Sequence, residues 1–184
     1  MNLERFVEDC ISANAETDAQ AAVTEVLART VSDHTAVLTA IGEPKEAGLN
    51  VFHHSPALTI FAAAWTPRMN LMPHNHLMWA SIGIYTGRED NILWRKGASG
   101  RLGSTGAKAL FAGDVVALPA DVIHSVTNPL DRFTGGIHVY GGDFFAITRS
   151  QWNAETLVEE PSNGAMIAAI YARENERFRK QNAH

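Results

Sequence analysis

Apolar residues recur with helical spacing near the start of the chain. One helix face is apolar at positions i, i+3, i+4, i+7 and i+8: Leu3, Phe6, Val7, Cys10 and Ile11. A second apolar stripe follows Thr17 and Gln20, whose spacing is typical of a helix N-terminus, and it runs to about Ser32. The pattern predicts two amphipathic helices in an N-terminal segment, 1–45, that ends with the Gly and Pro of residues 41–44.

Short apolar runs separated by Gly, Pro, Asn and Asp follow, and such runs are typical of β-strands. We predict strands near residues 58–65, 78–85, 92–95, 115–118, 123–127 and 137–140. Strands in this number predict a sandwich or barrel over residues 50–150. A last helix is predicted within 160–181, where Ile167, Ile170 and Tyr171 share a face and Ser162 is a suitable N-cap. We expect this helix to pack outside the barrel.

Length, charge and hydropathy narrow the class of protein. The 184 residues, 46% of them hydrophobic, suit a single domain, 1–184. The formal net charge is −5 and Lys and Arg are not clustered, which argues against nucleic acid as a partner. No apolar run approaches the ~18 residues of a membrane span. Acidic residues within positions 1–9 are unlike a signal peptide, so we expect a cytoplasmic protein. The oligomeric state stays open.

Candidate metal ligands are restricted to histidines and carboxylates, because Cys10 is the only cysteine. His74 and His76 are separated by one residue, and side chains two apart on a strand project from the same face. Both imidazoles can therefore reach one ion. An isolated His-x-His is more often a pair of surface or hydrogen-bonded core histidines, so the pair alone does not establish a site.

Residues 74–128 resemble the two sequence motifs of the cupin superfamily. The first motif is matched by His74, His76 and Gly87, and the second by Gly113, Pro119, His124 and Asn128. Two positions depart from the pattern, because Ala80 stands where cupins carry Glu and Asp121 where they carry Gly. The resemblance implies a mainly β fold, the cupin double-stranded β-helix or jelly-roll barrel, with N-terminal helices and a C-terminal helix. It also implies a metal ion bound by the three histidines of the motifs.

Cupins with three His ligands and no Glu resemble the thiol dioxygenases, a family that includes cysteine dioxygenase and mercaptopropionate dioxygenase. Two stretches carry this resemblance: residues 74–83, with Trp79 and an Ile-Gly after the His pair, and residues 136–141, which look like the family's Ser-x-His-x-Tyr segment. The resemblance implies a ferrous ion, Fe(II), at which a small carboxylated thiol, similar to 3-mercaptopropionate or cysteine, reacts with O2 to give the sulfinate.

The same resemblance implies catalytic roles for Tyr140 and His138. Tyr140 would place its hydroxyl group near the ligands of the metal, and His138 would hydrogen-bond that hydroxyl. Gly136 replaces the family's Ser, so one member of this relay is missing and a water is a possible substitute. Buried His and Tyr pairs also often only satisfy each other. Because Cys10 precedes the barrel, Tyr140 is expected to be free of the Cys-Tyr crosslink of animal cysteine dioxygenases.

Arg149 is the candidate substrate-binding residue, since mercaptopropionate dioxygenases carry an Arg at the corresponding place that binds the substrate carboxylate. Residues 44–64, where cysteine dioxygenases carry their Arg, contain none. Arg68 is a possible substitute, although it lies in a predicted loop. A plain surface arginine is the alternative reading of Arg149, because Arg is mostly exposed in proteins.

A competing function is a metal-binding cupin without oxygenase activity, either a small-ligand sensor or a zinc or nickel isomerase. Three-histidine sites also hold catalytic zinc, so the ligand type does not select iron. The run 88–91 follows Gly87 and is predicted to form a solvated hairpin tip rather than to supply a carboxylate ligand. Four further histidines lack motif context and are not predicted ligands: His34, His53, His54 and His184.

Overall fold

Three helices precede the strands in the computed structural model of the protein, which describes residues 1–98 and 100–183. They are α1 (Leu3–Ala13), α2 (Ala19–Ser32) and α3 (His34–Ile41). The side chains of Asn2, Asp18 and Asp33 each accept a hydrogen bond from a backbone N–H of the first turn and so cap the three helices. The two predicted helices are confirmed. The third was not predicted, and it begins directly after α2 because Asp33 ends one helix and caps the next.

The described residues contain strands that pair only in the antiparallel sense. They are β1 (Gly48–His54), β2 (Thr59–Trp65), β3 (Asn70–Asn75), β4 (Ala80–Thr86), β5 (Arg88–Lys96), β6 (Leu102–Phe111), β7 (Val115–Leu118), β8 (Ile123–Thr127), β9 (Thr134–Tyr140), β10 (Arg149–Trp152) and β11 (Glu159–Ser162). The first sheet has the order β1-β2-β9-β4-β7, and the second has the order β11-β10-β3-β8-β5-β6. The predicted mainly β fold is confirmed: two antiparallel sheets form a double-stranded β-helix, with helices before and after the strands.

The central strands of the first sheet, β2, β9 and β4, are buried on both faces. The inner face of this sheet contributes Phe61, Ile82 and Tyr140 to the core between the sheets. Its outer face packs against the N-terminal helices in a second core, in which Leu27 of α2 lies with Ile137 of β9. A strand that is covered on both sides has a continuous run of apolar residues instead of alternating apolar and polar residues. For this reason β2, β4 and β9 were recognisable in the sequence.

The prediction of a solvated hairpin tip at residues 88–91 is wrong. The chain turns at Gly87, whose φ is 80°, but β4 belongs to the first sheet and β5 to the second. Gly87 therefore carries the chain from one sheet to the other, close to Thr134, where a Cβ atom on Gly87 would lie 2.8 Å from the Thr134 Cα. Within β5, Glu89 is completely buried, whereas Asp90 forms a surface ion pair with Arg88.

The last helix, α4 (Gly164–Gln181), is capped by Asn163 rather than by Ser162, because the Asn163 side chain accepts a hydrogen bond from the Met166 N–H at 3.1 Å. Ser162 instead ends β11 and is buried. The side chain of Asn175 links α4 to the residue that precedes β1. It accepts a hydrogen bond from the backbone N–H of Ala47 and donates one to the carbonyl of Ala47. Among the described residues, no helix is both long and apolar enough to cross a membrane.

Candidate metal centre

Three imidazoles meet inside the barrel, and they belong to the three histidines of the cupin-like motifs. His74 on β3 lies directly opposite His124 on β8 in the strand register, and His76 follows the end of β3. The possible ligand atoms of the three side chains lie within 4.8 Å of one another, and the Nε2 atoms of His76 and His124 are 3.1 Å apart. Strand pairing thus brings together residues that lie far apart in the sequence.

Hydrogen bonds orient two of the three rings. The Nδ1 atom of His74 is 3.0 Å from the Met72 carbonyl oxygen, and that of His124 is 2.7 Å from Oδ1 of Asn91. Both partners are acceptors, so each Nδ1 carries the hydrogen and each Nε2 presents its lone pair to the centre of the group. Nδ1 of His76 is buried without a hydrogen-bond partner among the described residues. This arrangement fits a metal ion bound through Nε2 atoms.

Burial keeps the three imidazoles neutral. It lowers the pKa of His74 to about 4 and the pKa values of His76 and His124 well below the ordinary value. Neighbouring imidazoles lower the pKa values of His76 and His124 further, because the rings cannot easily carry charge side by side. Metal binding requires the neutral form, so these rings are ready to bind an ion near pH 7. Among the described residues, no Asp, Glu or Cys belongs to this group, and Ala80 is a buried methyl group at the position where cupins carry Glu. Neutral imidazoles suit iron, zinc, copper or nickel.

Tyr140 and His138 face the histidines from the opposite sheet, on β9. The Tyr140 ring lies 5.0 Å from the His76 ring, and the Tyr140 hydroxyl group is 3.2 Å from Nδ1 of His138. Burial raises the pKa of Tyr140, so the phenol stays protonated and acts as a donor near neutral pH. Burial also lowers the pKa of His138 to about 3, which keeps that ring neutral. The pair lies beside the three histidines and does not belong to that group.

Arg149, on β10, lines the same cavity. The side chain is buried, with the residue only 4% exposed, and the guanidinium carbon lies 3.8 Å from the centre of the Phe144 ring. No carboxylate among the described residues lies within ion-pair distance of it, and burial lowers its pKa. A buried guanidinium of this kind is suited to bind an anion. Arg68, in contrast, is exposed and forms a bidentate ion pair with Asp131.

The cavity between the two sheets is small, about 50 Å³, and its walls are largely apolar. That volume holds a few groups of the size of water, which limits the occupant to a short molecule. The C-terminal helix, which we expected to pack outside the barrel, closes one side of the cavity with Ile167, Ile170 and Tyr171. The three imidazoles thus face a cavity whose volume suits a small ligand.

Sequence reasoning missed several polar groups of this site. Gln151 and Ser162 line the cavity beside Arg149, and in the strand register Gln151 pairs with His74 and Ser162 with Arg149. Asn91 orients His124, and Glu89 holds Asn91 in turn. The alternation along β5 is the signal that could have found the last two, because residues 89 and 91 share the face that points into the barrel.

The remaining histidines lie away from the three imidazoles. His34 begins α3, and His53 lies on β1. His54 forms a surface hydrogen bond with Asp143, at 2.7 Å. His184 lies outside the described residues.

No model of a known protein family matches the chain. Similar solved structures include an RmlC-like cupin protein from Methanocaldococcus jannaschii, with 12% identity, a TM-score of 0.46, and coverage of 55% of this chain and 85% of that chain. A conserved protein with a double-stranded β-helix domain from Klebsiella pneumoniae has 14% identity and a TM-score of 0.44, and the match covers 55% of this chain and 76% of that chain. Oxalate decarboxylase from Bacillus subtilis has 17% identity and a TM-score of 0.41, and the match covers 50% of this chain and 22% of that chain. At these values the likeness carries no conclusion about metal, substrate or reaction.

Proposed function

We propose that the protein is a non-haem iron thiol dioxygenase that converts a small carboxylated thiol and O2 into the sulfinate. The observation that carries the proposal is a small cavity faced by three neutral imidazoles and by a buried guanidinium that has no carboxylate partner among the described residues. The likeness of the sequence around the two histidine motifs to thiol dioxygenases supports it.

The charges around the cavity select an anionic substrate. His74, His76 and His124 are the candidate ligands, and because they are neutral they leave the full +2 charge of a divalent ion uncompensated. Arg149 adds a further positive charge on the same side. Among the described residues, no Asp or Glu lines the cavity, so an ammonium group would find no carboxylate there. A thiolate that also carries a carboxylate, as in 3-mercaptopropionate, suits this arrangement.

Each residue has a separate task in the proposed reaction. A ferrous ion held by the three imidazoles would supply the redox chemistry that joins both atoms of O2 to sulfur. Arg149 binds the carboxylate of the substrate and so orients its sulfur atom. Tyr140 offers a hydrogen bond from its hydroxyl group, and the apolar walls of Phe61, Phe144 and Ile170 exclude bulk water.

Oxygen uptake by reconstituted protein tests the proposal directly. The purified protein, stripped of metal and loaded with ferrous ion, is expected to consume one O2 for each thiol and to form the sulfinate from 3-mercaptopropionate. Zinc-loaded protein is the matched control, because zinc has no redox chemistry and must give no uptake. Stoichiometric zinc in the freshly purified protein, with no uptake after iron loading, would instead support a sensor or an isomerase.

Tyr140→Phe is expected to leave iron content unchanged and to slow turnover. The substitution keeps the ring that packs against Phe144 but removes the hydroxyl donor near the reacting groups. Loss of one such donor typically costs on the order of 100-fold in kcat. Iron content and kcat are measured on the same preparation, with Tyr85→Phe as a control, because Tyr85 is buried in the second core, outside the cavity. Unchanged turnover would assign Tyr140 a structural role.

A further inference from the structure

Glu89 is a buried carboxyl group that the proposed reaction does not yet use. It is 0% exposed, and no Lys or Arg among the described residues lies within ion-pair distance of it. Burial raises its pKa from 4.5 to about 7, although the hydrogen bonds from Asn91 and Trp65 act in the opposite direction. A buried carboxylate without a cationic partner is costly, so its presence in this core calls for a role beyond packing.

The two oxygen atoms of Glu89 point toward two different parts of the site. Oε1 accepts a hydrogen bond from Nδ2 of Asn91 at 2.9 Å, and Oδ1 of Asn91 accepts one from Nδ1 of His124 at 2.7 Å. Oε2 accepts a hydrogen bond from Nε1 of Trp65 at 3.1 Å and lies 3.9 Å from Nε2 of His138. The carboxyl group therefore connects a metal ligand on the second sheet with the His138 and Tyr140 pair on the first.

His138 has room for Glu89 because residue 136 is a glycine. A Cβ atom on Gly136 would lie 3.3 Å from Nε2 of His138, so a side chain there would compete for this nitrogen. Nε2 has no hydrogen-bond partner among the described residues. The nearest carboxylate is that of Glu89, and a shift of about 1 Å brings the two atoms into hydrogen-bond range.

We propose that Glu89 is a positioning residue whose protonation sets the direction of the hydrogen bond made by Tyr140. When Glu89 is ionised, Nε2 of His138 carries the ring hydrogen and donates it to the carboxylate, so Nδ1 accepts the hydroxyl hydrogen of Tyr140. When Glu89 is protonated, its hydroxyl donates to Nε2, and Nδ1 carries the ring hydrogen and donates it to the oxygen of Tyr140. The hydroxyl hydrogen of Tyr140 is then free to point into the cavity.

The two states differ by one proton taken from solvent. Protonation moves the ring hydrogen of His138 from Nε2 to Nδ1, and the ring is neutral in both states. The titratable groups that face Glu89 are Asp90 on its own strand, His138 and Tyr140 on β9, and Tyr171 on α4. Burial keeps His138 and both tyrosines neutral near pH 7. The Tyr140 donor is therefore available to a ligand below about pH 7 and is withdrawn as the pH rises through this value.

The tautomer of His138 is the direct readout. Zinc-loaded protein labelled with 15N in its histidines is titrated from pH 6 to 8.5, and His138→Gln identifies the His138 signal by its absence. Wild-type protein is expected to change from the Nδ1–H to the Nε2–H form near pH 7. Glu89→Gln, which stays neutral, is expected to keep the Nδ1–H form throughout. Asp90→Asn is the matched control, because it alters the neighbouring acid and should retain the change.

A second variant keeps the test informative if Glu89→Gln does not fold. Trp65→Phe removes a hydrogen bond that favours the ionised carboxylate, so the midpoint of the tautomer change should rise by roughly half a pH unit or more. An invariant His138 tautomer in the wild type, or the same change in Glu89→Gln, would overturn the proposal. The role proposed for Glu89 depends on the proposed function only through the catalytic task assigned to Tyr140. The tautomer is measured without turnover, so it decides the role of Glu89 even if no thiol is oxidised.

Discussion

His124→Ala is expected to lower the affinity of the protein for a divalent ion by at least about 100-fold. Loss of an outer hydrogen-bond partner of a ligand typically costs about 10- to 100-fold in metal affinity, and the loss of a ligand itself should cost more. His124 is close to both other imidazoles: its ring centre is 4.5 Å from that of His74 and 4.8 Å from that of His76. Competition for ferrous or zinc ion with a chromogenic chelator gives the affinity.

His53→Ala is the matched control for this experiment, because His53 lies on β1 and does not line the cavity. It should bind the ion as the wild type does. Thermal unfolding provides an independent measurement, since an ion at 100 times its dissociation constant stabilises the folded state by about 2.7 kcal/mol. That stabilisation should be lost in His124→Ala at the same ion concentration. Full iron content in His124→Ala, together with loss in His53→Ala, would contradict the ligand assignment.

Arg149→Ala is expected to lose at least about 10-fold in kcat/KM for 3-mercaptopropionate, equivalent to ~1.4 kcal/mol. The guanidinium is buried at the cavity and free of carboxylate partners among the described residues, so it can donate two parallel hydrogen bonds to a bound carboxylate. Truncation of one partner of a buried charged pair typically costs ~2 to 5 kcal/mol, so the loss can reach well beyond 10-fold. Steady-state oxygen uptake at matched iron content measures the effect.

Two controls separate recognition of the carboxylate from general damage to the site. Cysteamine is a thiol without a carboxylate, and its kcat/KM should fall much less than that of 3-mercaptopropionate. Arg68→Ala should leave both substrates unaffected, because Arg68 is exposed and paired with Asp131. Equal losses for both thiols in Arg149→Ala, or a wild type that prefers cysteine, would mean that the carboxylate binds elsewhere.

The buried strands of the barrel were predictable because their composition follows from their surroundings. The two helices and the strands β7 and β8 have the predicted bounds to within a few residues, and the three candidate ligands follow from the motif spacing. Strands β1, β6, β10 and β11 were missed. β6 is largely exposed, β1 has no fully buried residue, and β10 and β11 have only four residues each, so pairing with a neighbour decides their conformation.

Two errors have a local physical reason. Pro73 lowers the strand tendency of β3, but the register of β3 shifts between Leu71 and His74, so the missing N–H of the proline falls where the ladder is irregular. The polar run at 88–91 suggested solvent because Glu and Asn are mostly exposed in proteins. In β5 the pattern is inverted, since Glu89 and Asn91 are buried while Ile92 is 37% exposed. Polar residues on the inner face of a strand are typical of functional sites rather than of a folding core.

The two sheets contribute different parts of the site, which has a consequence for how such a protein diversifies. The ligand histidines and Arg149 belong to the second sheet or to the turn that directly follows β3, whereas Tyr140 and His138 belong to β9 of the first. A substitution on β9 would replace a group that faces the candidate ligands without altering any of them. In the proposed function, the reaction could therefore change during evolution, or in directed evolution, while the three histidines and Arg149 are inherited unchanged.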